Sequence, residues 1–189
     1  PVFFSSDYVF AGSEIAGYVD TALPNPGTEY GRQKAAVETA LANADFPSLV
    51  LRPSKVFGLR RGDGTLLDEM AAALTAGRTV RAARDQIFSA AWVDDVVAAS
   101  MRALELGLTG VLNVCPAEAH SRYEIAVSLA RAIGANESLV KPISLDELPG
   151  VRRPKCTRMI PERLDREVGY HFRPLTECIA AMAEEYRSE

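Results

Sequence analysis

The stretch Phe3-Phe4-Ser5-Ser6-Asp7-Tyr8-Val9-Phe10, followed at a distance by Tyr30-Gly31-Arg32-Gln33-Lys34, decides how this chain reads. Val2 to Ser5 form an apolar run of the kind buried in a parallel sheet, and the run ends in two serines and an aspartate. The second stretch opens a helix, Glu29 to Ala44, on which Tyr30 and Lys34 lie four residues apart and so share a face. Strand ends that deliver polar groups into a crevice are where open α/β sheets bind ligands. A phenol, with a pKa of about 10, is a poor proton donor near neutrality, but a neighbouring ammonium favours the phenolate and brings that pKa toward working pH. A serine hydroxyl at the strand end can hold a carbonyl oxygen. Ser6, Tyr30 and Lys34 are therefore the expected catalytic group, suited to reducing a carbonyl or oxidising an alcohol. The hydride must come from a cofactor, because no side chain donates one.

Outward from this start, strands and helices alternate, which gives an α/β fold class. Asp7 to Thr28 is a long aperiodic loop holding Gly12, Gly17, Pro24, Pro26 and Gly27, and loops of that length are usually functional in compact domains. Ser48 to Arg52 is a continuous apolar strand closed by Pro53. Thr65 is placed to cap a helix that runs to Ala76 and stops at Gly77, and Asp94 or Asp95 starts another that stops at Gly107. Ser121 with Glu124 forms a capping box for a helix to Ile133. Short strands are expected at 79–82, 86–90, 110–115 and 140–144, and closing helices at 161–168 and 175–186.

With 189 residues, 48% of them hydrophobic, the chain can bury a core for one domain or one and a half. A net charge of −4 and a pI near 5.3, with both signs interspersed, lack the clustered basic surface that nucleic acid requires. No apolar run reaches the roughly 18–20 residues that span a bilayer, and no signal-peptide pattern is present. Cys115, Cys156 and Cys178 are odd in number and widely spaced, so they read as thiols of a reducing cytoplasm rather than a disulfide framework or a metal site. Neither Gly-x-Gly-x-x-Gly nor Gly-x-x-Gly-x-x-Gly occurs. Pro1 also stands directly inside a strand whose backbone groups need neighbours. The expectation is that dinucleotide-binding strands precede residue 1.

Further segments follow in a fixed order: Tyr18-Val19-Asp20, Pro24-Asn25-Pro26, Leu51-Arg52-Pro53-Ser54-Lys55-Val56-Phe57-Gly58, Trp92-Val93-Asp94-Asp95-Val96, Gly110-Val111-Leu112-Asn113-Val114 and Arg153-Pro154. Together with the two opening stretches they resemble the extended short-chain dehydrogenase/reductases, and most of all their dTDP-4-dehydrorhamnose reductase branch. The resemblance implies the C-terminal part of a Rossmann-type parallel-sheet fold plus a small α/β substrate-binding subdomain. Residues 1–58 would be the catalytic remainder of the NAD(P)-binding domain. Residues 59–189 would be mostly the substrate-binding subdomain, with 86–115 returning to the Rossmann sheet. The implied cofactor is NADPH or NADH, and the implied partner is a nucleotide-sugar substrate reduced at a 4-keto carbon; a homodimer is also allowed.

Carried over residue by residue, Ser6 falls on the catalytic Thr or Ser, Tyr30 on the catalytic tyrosine, and Lys34 on the lysine that also contacts the nicotinamide ribose. Pro53, Ser54 and Val56 fall on the loop along the nicotinamide. Ser6, Asp7, Phe10, Lys55 and Arg153 fall on the substrate side. The chain departs from the family where Asp20 stands for Glu, Ala22 for an acidic residue, Lys55 for an aromatic one and Ala11 for Asp. The catalytic trio is kept while substrate-facing positions differ. Two other functions suit the same resemblance: a nucleotide-sugar epimerase or dehydratase with bound NAD, and a non-catalytic regulatory subunit like the methionine adenosyltransferase β subunit.

Several residues have plainer uses. Ser5 satisfies backbone groups at the strand end, Asp63 serves a Gly-rich turn, and Asp94 or Asp95 caps a helix rather than holding a metal. His120 and His171 lack ligand spacing to a partner. Trp92 packs at a strand–helix junction, and Arg60 and Arg61 either meet a pyrophosphate or are solvated.

Overall fold

The computed structural model describes residues 1–148, 150 and 153–187. In chain order its strands are β1 (Val2–Phe4), β2 (Leu49–Pro53), β3 (Val56–Phe57), β4 (Val80–Ala83), β5 (Ile87–Phe88), β6 (Ala91–Trp92), β7 (Gly110–Val114), β8 (His120–Ser121) and β9 (Val140–Ile143). Its longer helices are α1 (Glu29–Ala42), α2 (Leu66–Thr75), α3 (Val93–Glu105), α4 (Arg122–Ile133) and α5 (Leu175–Arg187).

The central sheet has the order β1-β2-β7, all parallel, with Phe3 opposite Val50 and Val50 opposite Val111. Parallel strands release their C-terminal ends on one edge, so Ser5-Ser6, Ser54 and Cys115 emerge together. Side chains alternate across a strand. Leu49 and Leu51 pack with Leu112 and Val114 against Val96, Ala99 and Ala103 of α3. Arg52 leaves β2 on the opposite side and meets α1.

A second body is built from α2, α4 and α5 with the parallel pair β4–β9. Leu67, Met70, Ile125, Leu129, Ile179 and Met182 form its interior. The Ser121–Glu124 capping box opens α4 as expected, and Gly134, at φ +73°, closes it in the left-handed region. A small third cluster, Val9, Phe10, Tyr18, Cys115 and Met159, lies beneath the long loop after β1.

Long-range partners overrode several local signals. Thr65 stands at the start of α2, but its hydroxyl accepts from Gly58 N at 3.0 Å rather than capping the helix. Neither Asp94 nor Asp95 caps α3, which begins at Val93. The buried Asp95 accepts from Tyr170 Oη at 2.9 Å and Arg173 N at 2.8 Å. Of the strand expected at 86–90 only Ile87–Phe88 forms, as β5 antiparallel to β8; β6 follows it at Ala91–Trp92, parallel to β3. The helix expected at 161–168 holds a π turn, Leu164–Val168, ended by Gly169. Asp63 does serve its turn, accepting from Thr65 N at 2.8 Å. No described helix is long and apolar enough to cross a membrane.

One contact brings α1 onto the strand end. Thr28 caps the helix by accepting from Gly31 N at 3.0 Å, and a Cβ on Gly31 would lie 2.0 Å from the Tyr8 carbonyl oxygen. Glycine is needed here for close approach. Gly31→Ala would gain about 1 kcal/mol of helix propensity. Overpacking costs about 1–3 kcal/mol, and a backbone oxygen cannot yield as a side-chain tip does. We expect a net loss, read as a lower urea midpoint; a variant as stable as the parent would show that the approach is not tight.

Candidate active site

Ser6 is nearly buried at the end of β1. Its hydroxyl donates to Asp7 Oδ1 at 3.0 Å and accepts from Tyr8 N at 3.2 Å, capping a 3₁₀ turn, Asp7–Val9. The Ser54 hydroxyl, just beyond β2, donates to Asp7 Oδ2 at 3.4 Å. Burial pushes the Asp7 carboxyl above the usual carboxylate range, against the opposing effect of the Thr157, Ser6 and Ser54 hydroxyls and the Lys55 charge.

On α1, Tyr30 is 50% exposed, and its ring sits edge-on to Tyr8 at 6.0 Å between centroids. Lys34 Nζ donates to the Phe4 carbonyl at 2.7 Å and lies 5.7 Å from the centroid of the Tyr30 ring. The last carbonyl of β1 thus holds the ammonium two residues upstream of Ser6. Phenol, ammonium and serine are brought to one end of one strand.

A pocket of about 110 Å³ is lined among others by Asp7, Tyr8, Lys55, Arg122, Arg153 and Thr157, the first two directly following Ser6 in the chain. Arg122, in the first turn of α4, donates from Nε to Gln86 Oε1 at 3.2 Å. Burial lowers its pKa, and the Arg153 charge lowers it further. Burial raises the Tyr8 phenol, aided by the Asp7 charge and opposed by Arg153 and Arg122. Two guanidiniums that repel each other across a half-enclosed space are matched to an anion with several acceptor oxygens.

The structure therefore ties Tyr30 and Lys34 of α1 to the strand end that leads into Ser6, through Tyr8 and Phe4, and separately gathers Asp7, Lys55 and Arg153 around the pocket. Pro53 is still within β2, paired with Val114, and Ser54 faces Asp7. Val56 instead lines a larger cavity of about 420 Å³ with Phe57, Leu59, Trp92 and Val93. Phe10 departs from the substrate-side expectation. It is 1% exposed, stacked on Tyr18 at 3.9 Å between centroids and covered by the Arg52 guanidinium at 5.1 Å. A side chain enclosed in that way cannot touch a ligand.

Sequence reasoning missed Arg122, which reaches the pocket from the second body, and Gln86, just before β5. It also missed a buried ion pair behind the site. Arg52 Nε and Nη2 donate to Glu38 Oε1 and Oε2 at 3.0 and 2.6 Å, and the Ser5 hydroxyl donates to the same Oε1. The Leu51-Arg52-Pro53 segment held a signal, since a charge inside an apolar strand needs a buried partner.

A profile of the family described as RmlD substrate binding domain matches residues 2–188. A probable low-salt glycan biosynthesis reductase, Agl14, of Haloferax volcanii is 26% identical over 185 residues, covering 96% of this chain and 62% of that protein. A dTDP-4-dehydrorhamnose reductase of Mycolicibacterium smegmatis is 30% identical over 172 residues, covering 86% of this chain and 50% of that protein. A solved dTDP-4-dehydrorhamnose reductase from Bacillus anthracis, in complex with NADP, superposes with a TM-score of 0.84 at 23% identity over 97% of this chain and 65% of that one. The chain thus spans half to two thirds of the length of these relatives, and the structural likeness bears out the Rossmann-like α/β expectation.

The Asp7 environment sets a pH dependence. A carboxyl whose folded pKa is raised holds its proton more tightly in the folded state. That contribution is full below the unfolded pKa and is lost as pH rises through the folded one. Asp7→Asn carries no charge at any pH, so its stability relative to the parent should improve from about pH 4 to pH 8, beyond the ordinary carboxylate range. Urea midpoints at the two pH values measure this, and a difference that stays flat or reverses would contradict it.

Proposed function

This chain is a member of the RmlD substrate binding domain family, and from that membership we propose that it forms the catalytic and sugar-binding part of an NAD(P)H-dependent reductase of a 4-keto nucleotide sugar. The observation that carries the reading is the 2.7 Å bond from Lys34 Nζ to the Phe4 carbonyl, which holds the Tyr30–Lys34 face of α1 against the strand end that bears Ser6. The reductase relatives and the NADP-bound neighbour support the reaction type.

In this reading the Ser6 hydroxyl holds the carbonyl oxygen and the Tyr30 phenol gives it a proton. Ser6 donates to Asp7 in the free protein, so binding a carbonyl requires that hydroxyl to turn while Tyr8 N still holds its oxygen. Lys34 keeps the phenol's surroundings cationic. One of its three N–H donors is used on Phe4, which leaves donors for the hydroxyls of a ribose. A bound reduced nicotinamide supplies the hydride. Pro53 ends β2 and Ser54 follows it at the edge where that ring would lie, whereas Val56 turns to the larger cavity.

Arg122 and Arg153 suit a diphosphate, with Lys55 and Asp7 toward the sugar; a pocket of about 110 Å³ takes part of such a substrate rather than all of it. On this division residues 1–58 belong to the cofactor side. Residues 59–189 belong mostly to the substrate side, with 86–115 returning to the sheet. The free, buried thiols suit the reducing cytoplasm.

The test is NAD(P)H oxidation by the full-length protein with a 4-keto nucleotide sugar. Tyr30→Phe should lower kcat by about 10²–10⁴-fold with the circular dichroism spectrum unchanged. A kcat retained to within about threefold, far short of that contribution, would remove Tyr30 from the role. Turnover of the nucleotide sugar without net NAD(P)H consumption would point to an epimerase or dehydratase instead.

A further inference from the structure

We infer that the buried Glu38–Arg52 pair is a positioning device for the candidate catalytic group, an inference that rests on the reductase reading for its kinetic consequence but not for its geometry. Glu38 stands on α1 one turn beyond Lys34 and two beyond Tyr30, on the same face. It is 5% exposed and Arg52 is 2% exposed. The contact is a two-pronged fork, Arg52 Nε to Oε1 at 3.0 Å and Nη2 to Oε2 at 2.6 Å. Such a fork fixes direction as well as distance.

Three elements meet at this pair. The Ser5 hydroxyl, one residue before Ser6, donates to Glu38 Oε1 and ties the end of β1 to the carboxylate. Arg52 Nη1 donates to the carbonyls of Asp20 at 3.2 Å and Ala22 at 3.4 Å, which draws in the long loop. Glu38 itself carries α1.

Gly31 and Glu38 are the fully buried residues of α1, with Ala35 partly buried against the third cluster, so apolar packing locates the helix only weakly. Its placement is therefore set mostly by one close backbone approach and two polar contacts. These are the Gly31 approach to Tyr8, the Lys34 bond to Phe4 and the Glu38 fork. An apolar helix face slides more easily than a bidentate ion pair. The separation between Ser6 and the Tyr30–Lys34 face is fixed by Glu38 and Arg52, neither of which needs to touch a substrate.

Glu38→Asp tests this in the full-length protein. It keeps the charge and shortens the arm by one C–C bond, about 1.5 Å, so α1 must shift or the fork must open. Misplacement of reacting groups by about 1 Å costs on the order of 10²-fold. We expect kcat to fall by that order, while KM for the nucleotide sugar, held by Arg122 and Arg153, stays close to the parent value. A purely structural role predicts a lower melting temperature with the kcat of the folded protein unchanged, and that result would overturn the inference.

Ser5→Ala is the milder second variant, to be used if Glu38→Asp does not fold. It cuts only the strand-end link, and it should lower kcat with KM unchanged; parent-like kinetics would overturn the inference. A readout independent of turnover is acylation of Lys34 relative to the exposed Lys141, followed by mass spectrometry. Lys34 should react faster in either variant than in the parent. If the parent itself fails to oxidise NAD(P)H with any 4-keto nucleotide sugar, the reductase reading falls, and the acylation ratio alone decides positioning. An unchanged ratio then overturns it.

Discussion

Arg52 is a guanidinium with almost no access to water, in the penultimate position of the central strand. An unpaired charge in such a place is prohibitive, so everything around it must supply acceptors. Glu38 supplies two, the carbonyls of Asp20 and Ala22 two more, and the Phe10 ring covers one face. Satisfying this one side chain brings α1, the long loop and the end of β1 to a common point. A buried ion pair of this kind adds little net stability compared with apolar packing of similar volume. What it adds here is a direction for α1, whose contact with the sheet is otherwise sparse.

The same economy of polar contacts orders the rest of the loop. The buried Asp20 carboxylate accepts from Asn113 N at 2.6 Å on β7 and from Arg163 N at 3.0 Å. Asn113 Nδ2 in turn donates to the carbonyls of Tyr18 at 2.9 Å and Ile160 at 3.1 Å. A loop without secondary structure must still pair its buried backbone groups. This one does so through two side chains on the sheet, Arg52 and Asn113, and one of its own, Tyr18, whose hydroxyl accepts from Gly12, Ser13 and Glu14 N at 3.1, 3.0 and 3.2 Å. The loop is thereby held over the strand ends where Ser6 and Asp7 lie.

What the sequence revealed follows the range of the forces involved. The continuous run at Leu49–Leu51, the Ser121–Glu124 capping box and the Tyr30–Lys34 spacing are local patterns, and each appears where it was read. Phe10 was placed on the substrate side by the resemblance alone, yet its partner is Tyr18, a residue fixed by the loop's path rather than by spacing. Asp95 carried a local capping signal, but Tyr170 and Arg173 offered it two donors from a distant segment and a buried place. Glu38 and Arg52 are separated by the end of a helix and a turn, so their match shows only once both elements pack. Arg122 was hidden for the same reason, because α4 reaches the pocket from the other body.

That distribution of origins bears on how the site can vary. Ser6, Tyr30 and Lys34 come from β1 and α1, two elements bound to each other by the Phe4 carbonyl, the Gly31 approach and the Glu38 fork. The pocket side is assembled from separate pieces: Lys55 after β2, Arg122 on α4, and the 153–157 segment. That segment runs between the loop and β5, with Cys156 N on Gly12 O at 3.2 Å and Thr157 N on Ile87 O at 2.9 Å. A change at Lys55 alters the charge of the pocket without crossing the contacts that set the catalytic spacing, whereas a change at Glu38 does the reverse. In the proposed reading Lys55 is thus free to differ from the family, whereas Ala22, whose carbonyl accepts from Arg52, lies on the side that holds the strand–helix geometry.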